Sequence, residues 1–185
     1  MMANPYVTDP RFRALYDSLG SRTLTVPMSA RTTRTGGRTW QEAFSITKLA
    51  VERPGVKKPD MEGDDTYNVA LSLKIKPEST QDDVTSPNVS REITQDMRFN
   101  FPTLLRGIES GNVAGQAKMT EMAARTFKSL VVALGFDPDF GMDPEAFVDE
   151  HGQDAIGATV LGIVSQAQNK EGELQDEVRT FFVES

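Results

Sequence analysis

A short basic stretch lies in front of the single tryptophan of the chain. "RTTRTGGRTW", residues 31–40, contains three arginines, four threonines and a Gly-Gly pair. A guanidinium group pairs with phosphate and stacks on nucleobases, and an aromatic ring offers a platform on which a base can stack. The stretch therefore suggests binding of single-stranded nucleic acid, with a merely solvated loop as the alternative.

Charge is distributed unevenly along the chain. The net charge of −7 argues against a general polyanion binder. Residues 1–60 nevertheless carry a net charge of +5, whereas residues 61–185 carry −12. No acidic residue lies between Asp17 and Glu42. This basic segment predicts either a local surface for a polyanion or an arm that docks on an acidic neighbour.

The candidate binding residues follow from this segment. The cations expected to contact phosphate are Arg22, Arg31, Arg34, Arg38, Lys48, Lys57 and Lys58. The aromatic residues that could stack on bases are Trp40, Phe44, Tyr67, Phe99 and Phe101. Trp40 is the strongest of these, because it begins a predicted strand beside the basic segment. For Tyr67, Phe99 and Phe101 we expect core packing instead, because they lie on the apolar faces of alternating strands.

Catalytic chemistry has little support in the sequence. The absence of cysteine excludes disulfides, thiolate catalysis and zinc sites built on sulfur. The single histidine, His151, lies near a predicted helix end, and no Ser-His-Asp triad is indicated. The carboxylates of "DPDFGMDPE" lack the glycine and glutamate of an EF-hand loop, and helix capping by Asp143 explains them. We therefore expect no enzyme activity, no metal and no cofactor.

The elements that position the candidate residues follow an α+β order. "DPRFRALYDSLG" predicts a first helix with Asp9 as its N-cap. Further helices are predicted at "AGQAKMTEMAARTFKSLVVALG" and "DPEAFVDEHG". Alternation of apolar and polar residues predicts a C-terminal hairpin formed by "IGATVLGIVS" and "LQDEVRTFFV". It also predicts strands over 40–51, 67–75 and 91–101, and a shorter edge strand over 22–28.

This order predicts a strand-dominated α+β fold. The arrangement fits a small, partly open barrel like an OB-fold, plugged by a helix, with a flat sheet covered on one face as the alternative. Residues 1–21 would form an N-terminal helical extension and residues 22–185 the barrel domain. The polar connections at 52–65 and 77–90 are long enough to indicate function or mobility. No apolar run is long enough to span a bilayer and the N-terminus lacks a signal-peptide layout, so we expect a cytoplasmic protein without a membrane partner.

The C-terminal part of the sequence carries a family resemblance. "TFKSLVVALGFD", an acidic helix and "IGATVLGIVSQAQNKEGELQDEVRTFF" resemble the C-terminal half of a phage family of OB-fold single-stranded-DNA-binding proteins, formerly a domain of unknown function. The matching positions are a helix end at 133–135, strands at 156–164 and 178–182, and a turn at 169–172. The resemblance covers mainly residues 115–185. It departs from the family in its N-terminal helix and in its long loops.

The resemblance implies a function as well as a fold. It implies binding of single-stranded DNA in phage-type replication or recombination, with replication or recombination proteins as partners and the host cytoplasm as the location. The alternative is a structural protein of a virion or other assembly, whose basic N-terminal region docks on acidic partners. A homo-oligomer fits both hypotheses, and the choice between RNA and DNA is left open.

Overall fold

The computed structural model describes residues 4, 6–20, 31–32, 38–55, 68–78, 92–168 and 171–182. Within its strands it describes only the backbone at 31–32, 38–40, 167–168 and 174. The predicted strand at 22–28 and most of the predicted loops at 52–65 and 77–90 lie outside these residues.

The described chain contains four α-helices and six strands, and the predicted helices and long strands are present. The helices are α1 Pro10–Ser18, α2 Phe101–Ser110, α3 Gln116–Ala133 and α4 Pro144–His151, with a 3₁₀ helix at Pro138–Gly141. The strands are β1 Arg31–Thr32, β2 Arg38–Arg53, β3 Asn68–Pro77, β4 Ile93–Asn100, β5 Thr159–Gln168 and β6 Leu174–Phe182. Two predictions were wrong in detail. Helix α2 was not foreseen, and Phe101 begins this helix instead of ending a strand.

The strands form one antiparallel sheet in the order β4-β3-β2-β5-β6, with β1 paired to the start of β2. The predicted strand-dominated α+β fold, with a small OB-like open barrel, is confirmed. Helix α3 packs against β4 and β6 and buries Phe127 and Leu130 in the shared core. Helix α1 packs on the same core, where the Phe12 ring meets the edge of Phe101 at 5.5 Å. The boundary at 21/22 stays a prediction.

The two end strands of the sheet, β4 and β6, are joined by side chains. The Gln95 side chain on β4 donates to the carbonyl of Val178 at 2.7 Å and accepts from its N–H at 2.8 Å. From α3, the Thr126 hydroxyl donates to the carbonyl of Arg179, and the Ser129 hydroxyl accepts from the N–H of Phe181. These side chains satisfy backbone groups of β6 that no strand pairs with, and we call this junction the seam.

A bulge in β2 reverses part of its predicted pattern. Sequence alternation placed Lys48 on the same face as Phe44 and Ile46. The pairing with β3 instead shifts register between Ile46 and Lys48. Because one extra residue turns the side chains that follow it to the opposite face, Leu49 is buried and Lys48 is exposed. A second shift, between Val51 and Arg53, turns Arg53 outward.

A buried carboxylate leads to a prediction about stability. Glu145, at the start of α4, is 5% exposed and accepts a hydrogen bond from the N–H of Gly55. Burial raises the pKa of Glu145, so its favourable contribution is present below the ordinary value of 4.5 and is lost as the pH rises through its folded pKa. Glu145→Gln keeps an acceptor for Gly55 but removes the charge. We expect a higher melting temperature than wild type at pH 7, with the gain disappearing near pH 4; a lower value at pH 7 would contradict this.

Candidate nucleic-acid interface

Five cations lie on the outward side of β2, β3 and β4, opposite to the core. Register pairs Lys48 with Lys74, and Arg53 with Ala70, which in turn pairs with Arg98. Small or uncharged positions separate these two rows, apart from Asp96. We call this surface the cationic face and define it by Lys48, Arg53, Lys74, Lys76 and Arg98.

Most cations of this face have no partner among the residues that the structure describes. The Lys74 ammonium lies 3.9 Å from the carboxylate of Glu92, which also accepts from the Thr47 hydroxyl. In the part of the chain that the structure describes, the other four form no ion pair or side-chain hydrogen bond. Lys48, Arg53, Lys76 and Arg98 therefore add positive charge without an ion pair to described residues, on a chain whose net charge is −7.

The pairing of Lys48 with Lys74 is unfavourable in the free protein. Like charges at directly opposite positions of two antiparallel strands destabilise the sheet by roughly 0.2–1 kcal/mol. An anion bound between the two ammonium groups would remove this repulsion. The arrangement is thus typical of a surface that receives a polyanion.

The predicted basic arm joins the barrel beside this face. Arg31 pairs with Thr39, which pairs on its other edge with Ser165 of β5. Because β5 pairs with one edge of β2, β1 must pair with the other edge. This is the edge that pairs with β3 from Phe44 onward. Arg31 and Arg38 thus have backbones on neighbouring strands, and their side chains lie outside the described part.

The remaining predicted site residues are only partly placed. Lys48 belongs to the cationic face. The backbone of Trp40 pairs with that of Val164, and its side chain is not described. The others lie outside the described residues altogether: Arg22, Arg34, Lys57 and Lys58.

Sequence analysis missed four cations of this face: Arg53, Lys74, Lys76 and Arg98. The signal was present, because Lys74 and Lys76 alternate with the buried Leu73 and Ile75. Alternation alone assigns such charges to the polar side of a strand. Their grouping depends on strand order, which alternation does not reveal.

The aromatic candidates divide clearly. Phe99 and Phe101 are each 1% exposed, which confirms the core packing expected for them. Phe44 is fully buried as well, so its candidacy as a stacking platform was wrong. Tyr67 lies outside the described residues, and Trp40 stays a prediction.

His151 lies in a cluster of aromatic rings. Its imidazole is 4.6 Å from the Phe136 ring and 5.2 Å from the Phe147 ring, and it contacts the carboxylates of Glu150 and Asp154. In the residues with described side chains, no group of three or more histidines and carboxylates could hold a metal ion. None of the described helices is long and apolar enough to cross a membrane.

Comparison with known proteins gives no assignment. The chain matches no protein-family model, no curated protein and no solved structure. The function must therefore be argued from the cationic face and the barrel.

Proposed function

We propose that this protein binds single-stranded DNA without catalysing a reaction, in phage-type replication or recombination. The observation that carries the proposal is the cationic face on an OB-like barrel. OB-folds bind oligonucleotides on the outer side of their second and third strands and through the adjacent loops. In this chain those strands are β3 and β4, which supply Lys74, Lys76 and Arg98.

Neighbouring segments extend the same surface in this proposal. Lys57 and Lys58 belong to the connection between β2 and β3, which is the first barrel loop. The arm with Arg31 and Arg38 enters along the same edge of β2. Phosphate contacts from the arm, the loop and the face would then follow one continuous strand, with Trp40 stacking on a base.

A titration at two salt concentrations tests the proposal. Fluorescein-labelled oligo-dT should bind at low salt, and the logarithm of the binding constant should fall with a slope of about −0.7 per neutralised phosphate. Tryptophan fluorescence should be quenched in parallel if Trp40 stacks. Competition by oligo-U of the same length distinguishes a preference for DNA from binding of any single-stranded nucleic acid. No binding at low salt would overturn the function.

The arm makes a separate, testable contribution. Replacing Arg31, Arg34 and Arg38 together with alanine should weaken binding and flatten the salt slope by about 2. Trp40→Ala should weaken binding without changing the slope, because stacking releases few ions. The arm is an assembly element if two results occur together: wild type does not bind oligo-dT, and the triple variant loses the oligomeric state of wild type.

One observation favours the alternative function, a structural protein of an assembly. Phe140 is 52% exposed at the edge of a hollow that also contains Asp139, Asp143 and Glu150. Asp139 already pairs with Arg13 and Asp143 caps α4, so Glu150 and the exposed ring are the groups that could receive a cationic side chain of a neighbouring copy. Size-exclusion chromatography with and without oligo-dT distinguishes the two functions. A defined assembly that is indifferent to DNA and is lost in Phe140→Ser would support the alternative.

A further inference from the structure

A second feature of the barrel surface is a groove over the seam. It has a volume of about 810 Å³ and lies between β4, β6 and helix α3. We call it the seam groove, and the residues that matter for its chemistry are Arg98, Met119, Met122, Arg125, Ile163 and Arg179.

The apolar part of the seam groove is unusual for a surface. Met119 is 66% exposed, although methionine is an apolar residue, and Met122 and Ile163 are half-buried. Methionine has a flexible, polarizable thioether that packs well against aromatic rings. A flat nucleobase is a suitable partner for these side chains because both of its faces are apolar.

The charged part of the seam groove is dominated by guanidinium groups. Arg98 and Arg125 are exposed and form no ion pair or side-chain hydrogen bond with the residues that the structure describes. Arg179 pairs with Glu177 at 2.8 Å, which leaves Asp96 as the other acid of the groove. Arginine can contact a phosphate and stack on a base at once. The groove thus combines the two interactions that a single strand requires.

Arg98 belongs both to the cationic face and to the seam groove. A strand whose phosphates follow the row of Arg53 and Arg98 would therefore reach the groove at the edge of β4. We propose that the seam groove is a base-binding subsite, in which Met119 and Met122 pack against nucleobases and Arg98 and Arg125 contact the flanking phosphates. This inference rests on the proposed function and adds a site on the far side of β4.

Oxidation of methionine provides a direct measurement on the full chain. Among the methionines that the structure describes, hydrogen peroxide should oxidise Met119 fastest in the free protein, while Met97 and Met142, at 2% and 8% exposure, react slowly and serve as internal references. Saturating oligo-dT should slow oxidation of Met119 and Met122 by about fivefold or more, because a stacked base covers the sulfur. Mass spectrometry of peptides measures each site separately.

A pair of variants on α3 provides the matched comparison. Arg125→Ala should lower oligo-dT affinity several-fold and flatten the salt slope by about 0.7, the loss of one phosphate contact. Lys118→Ala removes the same charge from the same helix outside the groove and should bind like wild type. The subsite alone would be overturned if wild type bound oligo-dT but Met119 and Met122 were oxidised as fast as in the free protein, and if Arg125→Ala bound like wild type. Absence of oligo-dT binding by wild type would overturn the function and the subsite together.

Discussion

Replacing Lys48 and Lys74 together with alanine should lower the affinity for oligo-dT by roughly 10- to 100-fold at low salt, and flatten the salt slope by about 1.4. The two lysines are directly paired in the register of β2 and β3, so we expect one stretch of phosphates to reach both. Removing both cations removes two counterion-releasing contacts. Fluorescence anisotropy at several salt concentrations measures the affinity and the slope in the same experiment.

A matched variant separates the effect of these two positions on affinity from the effect of a changed net charge. Arg106 and Lys118 lie on α2 and α3, away from the cationic face, and replacing both with alanine changes the net charge equally. That variant should keep the wild-type affinity within about twofold and nearly the wild-type slope. The double variant Lys48→Ala, Lys74→Ala should fold about as stably as wild type. It relieves a like-charge pair worth roughly 0.2–1 kcal/mol, and it loses the exposed pair of Lys74 with Glu92, which contributes a similar amount. Equal weakening by both double variants would contradict a localised site.

Replacing Gln95 with leucine should lower the free energy of unfolding by about 2–4 kcal/mol, as measured by urea denaturation. The amide of Gln95 bonds both backbone groups of Val178, which is fully buried. Leucine has similar bulk but cannot donate or accept, so the N–H and carbonyl of Val178 would each lose a partner, at about 1–3 kcal/mol per group.

Two further substitutions control this experiment. Gln41→Leu makes the same change on β2, where the side chain has no hydrogen bond to the described residues, and should change stability by no more than about 0.5 kcal/mol. At neutral pH, Gln95→Glu keeps an acceptor for the N–H of Val178 but places a carboxylate against the carbonyl of Val178. We therefore expect a lower free energy of unfolding than wild type, and a smaller difference at low pH, where the carboxyl is protonated. If Gln95→Leu is no less stable than Gln41→Leu, the seam is not held by this side chain.

The sequence predicted the regular parts of the barrel well. Strand β3 and the hairpin of β5 and β6 alternate apolar and polar residues in sequence, because every second residue faces the core. On β3 the outward-facing Ala70 and Ser72 are buried as well. The bulge after Ile46 was not predictable in this way, since its extra residue only appears when β2 pairs with β3. Helix α2 was missed because it follows β4 without a connecting loop, at the cap residue Asn100.

The candidate site was less accessible to sequence reasoning than the fold. The arm could be identified because its arginines are neighbours in the chain. Lys48 and Arg98 are far apart in sequence, and only the order of the strands places them on one surface. Gln95 resembles any polar strand residue until the opposite backbone of Val178 is known. Long-range pairing decides each of these roles.

The seam also determines how copies of this protein can meet. The end strands of an open sheet usually expose a row of unpaired amides, which invites another chain to add a strand and leads to aggregation. Here β4 and β6 turn these edges toward one another, and Gln95, Thr126 and Ser129 occupy backbone groups that an added strand would need. Strand addition at this edge would first require breaking those bonds. A copy that docked instead on a side-chain surface such as the hollow beside Phe140 would leave these bonds of the seam intact.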